Sequence, residues 1–201
     1  MGRRMQRRNT LGVAAAAIGL LAGGVTAAAA IIAVRFARQV VTPPTSRVED
    51  IRIAAVDLAA GEVVLAASAE SRMRGRYGFW FEHESGHARL GDVVADGPKV
   101  VRRRIESVDF GRFDRATRGR MDGWYHLGPW ELGHPYENAI VETPLGPAPA
   151  WFVPAESGSD RWIIQVHGRG AKRPEGLRAV EPAHEAGWNT LLISYRNDGE
   201  A

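Results

Sequence analysis

Residues 162–195 read WIIQVHGRGAKRPEGLRAVEPAHEAGWNTLLISY, a stretch bracketed by two apolar runs. WIIQV is nearly all apolar with no clean alternation, the pattern of a strand buried on both faces. LLISY, beginning 29 residues after the start of WIIQV, repeats that signature, a spacing that suits a βαβ unit with a right-handed crossover. Between them, Pro174 and Glu175 suit a helix start, where a missing amide costs nothing and a carboxylate faces the positive dipole end. Gly187 suits its stop. Pro182 sits inside the stretch and predicts a helix that kinks or restarts there.

On the N-terminal side, AIVETP (139–144) and APAWFVP (148–154) flank Leu145-Gly146 and predict an antiparallel hairpin. Further out, residues 48–111 carry short runs rich in Val, Ile and aromatics, such as IRIAAVDL (51–58), RYGFWFE (76–82) and KVVRRRIESVDF (99–110). Gly and Gly-Pro divide them, which predicts a small mostly-β module. Arg102, Arg103 and Arg104 form the one local basic cluster, read as a solvated strand or strand end. Residues 112–138 are denser in Gly, Trp, Tyr and His and read as an irregular packed connection. Its Trp124, Tyr125, Trp130 and Tyr136 either line a substrate site or serve as core, the simpler reading.

The N-terminus is different in kind. Residues 10–34 hold no charge for 25 positions, enough at 1.5 Å per residue to exceed the roughly 30 Å of bilayer hydrocarbon. Arg3, Arg4, Arg7 and Arg8 precede the run, and Arg35, Arg38 and Arg47 follow it. That weakly favours a cytoplasmic N-terminus and an extracytoplasmic body. A cleaved signal peptide with a small-residue site at Ala27–Ala30 is the competing reading, but such cores usually run only about 7 to 15 residues. Pro43 and Pro44 then start a linker. The expected order is a basic tail (1–9), a transmembrane anchor (10–34), a linker (35–47), a mostly-β module (48–137) and a final segment (138–201).

Charge excludes one class of partner. Six of the 26 Lys and Arg lie in residues 1–46, where no acid occurs, leaving 20 basic against 23 acidic groups in the rest. A slightly acidic body lacks the cationic footprint of a nucleic-acid binder. Cysteine is absent, which removes disulfides, thiolate nucleophiles and Cys-ligated zinc.

His83-Glu84-Ser85-Gly86-His87 fits H-E-x-x-H, which on a helix places two imidazoles on one face to hold zinc. Here Phe79-Trp80-Phe81 is strand-prone and Ser85-Gly86 favours a turn, so a hairpin tip fits better and no metal is expected.

His167-Gly168-Arg169-Gly170 follows a buried strand and precedes a helix, a context in which glycines free backbone amides to face a developing negative oxygen. From WIIQVHGRG to LLISY, the run resembles the third strand, first helix and fourth strand of the α/β-hydrolase superfamily, in particular its dipeptidyl-peptidase-type serine esterases. The hairpin before it is similar to the antiparallel strands that open that fold. The resemblance covers about residues 138–201. It implies hydrolysis of an ester, thioester or amide, with the Arg169 N–H as an oxyanion donor, His167 as a structural loop histidine, and Tyr195 and Arg196 at the mouth of the site. G-x-S-x-G occurs nowhere: Ser157 and Ser159 lack the flanking glycines and Ser194 lies in a strand. The nucleophile, acid and base are therefore expected beyond Ala201.

The resulting expectation is an α/β chain: an N-terminal transmembrane helix, a small mostly-β module, and the first strands and helix of an incomplete α/β-hydrolase sheet. Its function would be that of the N-terminal part of a membrane-anchored serine hydrolase, inactive by itself and without a cofactor. Its partners would be the bilayer through residues 10–34 and, in a full-length form only, a small-molecule or peptide substrate. The alternative is a non-catalytic membrane-tethered binding or assembly module.

Overall fold

A computed structural model describes residues 26–42, 47–156, 158–168 and 170–195. Residues 26–41 form helix α1, and the Thr42 amide closes its last turn on the Arg38 carbonyl at 2.9 Å. Among the described residues no helix is long and apolar enough to cross a membrane, which overturns the expected transmembrane helix and single-pass location. The basic tail and residues 10–25 of the expected anchor lie outside the described residues.

The body from residue 44 is a separate compact unit. Its first part is a closed antiparallel barrel of β1 (Ile51–Asp57), β2 (Glu62–Ala66), β3 (Tyr77–Phe81), β4 (Gly86–Asp96), β5 (Val100–Phe110) and β6 (Arg118–Asp122), in the order β1-β2-β5-β4-β3-β6. Period-two alternation sends Ile51, Ile53, Val63, Leu65, Phe79 and Phe81 inward. Register shifts between Leu90 and Val93 and between Val93 and Ala95 mark bulges in the β4–β5 pair, the device that bends a sheet toward closure. A 3-10 turn, Phe113–Arg115, inserts Phe113 into the core, stacked on Phe81 at 4.9 Å and tilted against Phe79 at 5.7 Å.

Arg103 corrects the solvated reading of the basic cluster. Arg102 and Arg104 are exposed, but Arg103 points inward with no exposure. It donates to the carbonyls of Ser71 (3.2 Å), Met73, Gly75 (2.6 Å) and Gly91 (3.0 Å from Nε). Burial of a charge is tolerable only with such partners.

The second part is a four-stranded sheet of order β7-β8-β10-β9: β7 (Glu137–Thr143), β8 (Gly146–Val153), β9 (Trp162–Val166) and β10 (Asn189–Ile193). β7 and β8 form a hairpin, β8 and β10 are antiparallel, and β9 and β10 are parallel. The crossover is a 3-10 segment, Arg173–Ala179, continued by helix α2 (Val180–Glu185). The change of helix type falls at Ala179–Val180, so Pro182 occupies the first turn of α2, where its missing amide has no intrahelical acceptor to lose. Trp151, Val153, Leu177, Val180 and Leu192 form the core under the crossover.

The α/β fold class is therefore corrected. The protein is mostly β, built around a six-stranded antiparallel barrel, and is not an α/β-hydrolase-like fold. One parallel pair does not make the class, because the other sheet partners are antiparallel. WIIQV is also not buried on both faces: as an edge strand it leaves Trp162, Ile164 and Val166 more than half exposed.

Candidate ligand cleft at the barrel seam

On the outer wall of the barrel, the connection after β6 lies against Gly78, Trp80 and His87. A Cβ on Gly78 would sit 1.8 Å from the Trp124 carbonyl oxygen, so only glycine lets the connection approach this closely. Trp124 meets Trp80 edge-on at 5.5 Å. The His87 ring has no exposure: its Nδ1 is 2.6 Å from Asp109 Oδ2 and its Nε2 is 3.2 Å from the Trp124 carbonyl.

Asp109 also accepts from Arg89 Nε at 3.0 Å, and the Arg89 guanidinium reaches Glu131 at 2.9 Å. Burial pushes the Asp109 carboxyl up, but the bonds from Arg89 and His87 outweigh it and hold the group below the usual carboxylate range. This chain fastens β4, β5 and the connection to one another.

Beyond it opens a cleft of about 360 Å³, lined by Arg74, Gly75, Arg76, Tyr77, Tyr125, His126 and Arg178. Three segments supply it: the turn before β3, the connection, and the crossover. The Tyr125 ring lies between the guanidiniums of Arg76 (5.7 Å) and Arg89 (5.5 Å), and its hydroxyl donates to Glu106. Burial, followed by that bond, pushes the phenol up to about 12, so it stays neutral. Burial likewise lowers His126; its Nδ1 is 3.4 Å from Glu131 but not aligned to bond it. Arg178 donates to the Gly123 carbonyl at 2.7 Å, tying the crossover to the connection.

The residues expected to form an oxyanion loop stand elsewhere. His167 is buried and stacks on Tyr195 at 4.4 Å. Gly170 has φ +76°, the left-handed region glycine favours. The Gly168 amide donates to Glu175 Oε2 at 3.2 Å, so a carboxylate faces it. Arg169 and Arg196 lie outside the described residues, as does Ser157. Tyr195 borders an apolar groove of about 470 Å³ with Val141, Leu145, Pro147 and Ile193.

The H-E-x-x-H segment is a hairpin tip between β3 and β4, with Glu82, His83 and Glu84 at φ 51°, 57° and 66°. His83 is exposed while His87 is held by Asp109, and among the described residues no cluster of His, Asp and Glu is placed to hold a metal. Of the four aromatics singled out in the connection, Trp124 is core against Trp80, Tyr125 lines the cleft, and Trp130 and Tyr136 are exposed. Arg74, Arg76, Tyr77, His126 and Arg178 were not anticipated. The one signal was three arginines within Arg72-Met73-Arg74-Gly75-Arg76, which local reading cannot join to Arg178 a hundred residues away.

Residues 52–122 match a family described only as a domain of unknown function (DUF8805). The matched span runs from β1 to the end of β6 and so coincides with the barrel. No curated protein and no solved structure matches the chain.

Proposed function

We propose that the body is a non-catalytic ligand-binding module whose site is the cleft at the barrel seam. The observation that carries this reading is the lining. Side chains from three separated segments converge on one concave space of a size suited to a small molecule, and none of them is a Ser, Thr, Cys, Asp or Glu. The cleft offers charge and aromatic surface for binding, without a hydroxyl–imidazole–carboxylate set of the kind that serves acyl chemistry among its lining residues. The serine-hydrolase expectation rested in part on an α/β-hydrolase sheet, whereas the protein is mostly β around a closed barrel.

A fragment screen by 15N-detected NMR on the full chain tests the proposal. Hits are expected to shift the amides of residues 74–77, 125–126 and 178 together. Hits confined to the apolar groove beside Tyr195, or none at all, would overturn it, as would labelling of a serine by a fluorophosphonate probe.

A further inference from the structure

The cleft is more specific than its shape alone requires, and the following rests on its being the binding site. Its lining contains three guanidiniums and no carboxylate. Arg76 lies with Nε 3.3 Å from Glu106 and is 69% exposed. Glu106 is shared, since it also accepts the Tyr125 hydroxyl. Arg178 uses one NH2 bond on the Gly123 carbonyl, a neutral acceptor, which fixes its direction. Glu175 lies beside it at Gly123 without an ion pair to it, and its Oε2 accepts the Gly168 amide. Arg74 has no hydrogen bond or ion pair to any of the described residues. Arg89, behind the Tyr125 ring, is balanced by Asp109 and Glu131.

Two carboxylates, Glu106 and Glu175, therefore stand against three cations, an excess of one positive charge around a space of about 360 Å³. Excess charge of one sign lining a concave surface focuses potential on an incoming counter-ion. Guanidinium is the side chain best matched to planar or tetrahedral oxyanions, because its five donors form a rigid fork. The aromatic rings hold that fork open: Arg76 rests over Tyr125, a contact that fixes its plane without consuming its terminal donors.

We propose that the cleft binds a small anion carrying phosphate or carboxylate groups that reach more than one guanidinium, with Arg74 and Arg178 as the principal contacts and Arg76 as the third.

Isothermal titration of the full chain with inorganic pyrophosphate, citrate and inorganic phosphate tests this at low and raised salt. Pyrophosphate or citrate is expected to bind one to one and more tightly than phosphate, with affinity falling as salt rises. Stronger binding of pyrophosphate identifies phosphate groups as the natural chemistry, and stronger binding of citrate identifies carboxylates. Arg74→Gln and Arg178→Gln should each weaken binding roughly tenfold, the loss of one charge-assisted contact. Arg102→Gln, on an exposed arginine outside the cleft, should leave it unchanged. Arg74 supports nothing in the fold, so its variant reports on binding even if Arg178→Gln loosens the crossover. The proposal falls if neither pyrophosphate nor citrate binds, or if both cleft variants bind as the wild type does. If only uncharged fragments bind at the cleft, insensitive to salt, the binding module stands and its anion preference is wrong.

Discussion

The barrel and the four-stranded sheet solve the same problem in opposite ways. In the barrel every strand has a hydrogen-bonded neighbour on both sides, and closure leaves no edge to protect. Even a charge is buried there, because the carbonyls of Ser71, Met73, Gly75 and Gly91 converge on Arg103. The sheet packs one face under the crossover and leaves the other, with Trp162, Ile164 and Val166, to solvent. Among the described residues its strand β9 pairs only with β10. A largely apolar strand is thus no guarantee of burial: WIIQV is less covered than an arginine in the barrel wall.

The contrast can be broken from the barrel side first. Arg103→Ala strips the donor from four inward carbonyls and should cost about 3 to 5 kcal/mol in urea unfolding, with Arg103→Lys recovering part of it. A cost below about 1 kcal/mol would mean that the buried charge supports nothing.

Gly78→Ala forces a methyl group into the Trp124 carbonyl and should cost about 1 to 3 kcal/mol. Because the strain falls on the connection, tryptophan fluorescence should change before the barrel unfolds.

Asp109→Asn should cost about 1 to 2 kcal/mol at neutral pH, a figure reduced for the partial exposure of its site. Its pH signature is the sharper readout. A carboxyl held below its unfolded value stabilises the fold above about pH 4 and loses that contribution as pH falls through the folded-state value. The wild type should therefore lose stability below about pH 4 more steeply than the variant, and parallel acid limbs in the two melting series would show that Asp109 is not coupled to folding.

The smallest effect belongs to the sheet. Ile164→Thr, on the open face, should change stability by no more than about 0.5 kcal/mol. A loss comparable to that of Arg103→Ala would show that this face is covered in solution.

Much of the local structure was legible from composition alone. WIIQV and NTLLI are strands because consecutive apolar, branched side chains suit a pleated ribbon, and Leu145-Gly146 turns the hairpin because Gly146 takes φ +119°. Phe79-Trp80-Phe81 and Ser85-Gly86 argue against a zinc helix for the same local reason, and the tip between β3 and β4 is where they lie. The fold class was misread because the parallel pair has a distinctive spacing, whereas barrel closure has none. β1 meets β6 across more than sixty residues of chain, and no window of sequence contains both. The cleft was missed for that reason too, since its arginines belong to segments that only packing brings together.

By itself, then, the sequence determined where several strands form and where the chain turns, because these follow from short-range sterics. Tertiary structure alone decided that six strands close, that Arg103 goes inside while Ile164 stays out, and that three distant guanidiniums share one cleft. Those outcomes depend on hydrogen bonds and burial between residues far apart in the chain, energies that exist only once the partners have met.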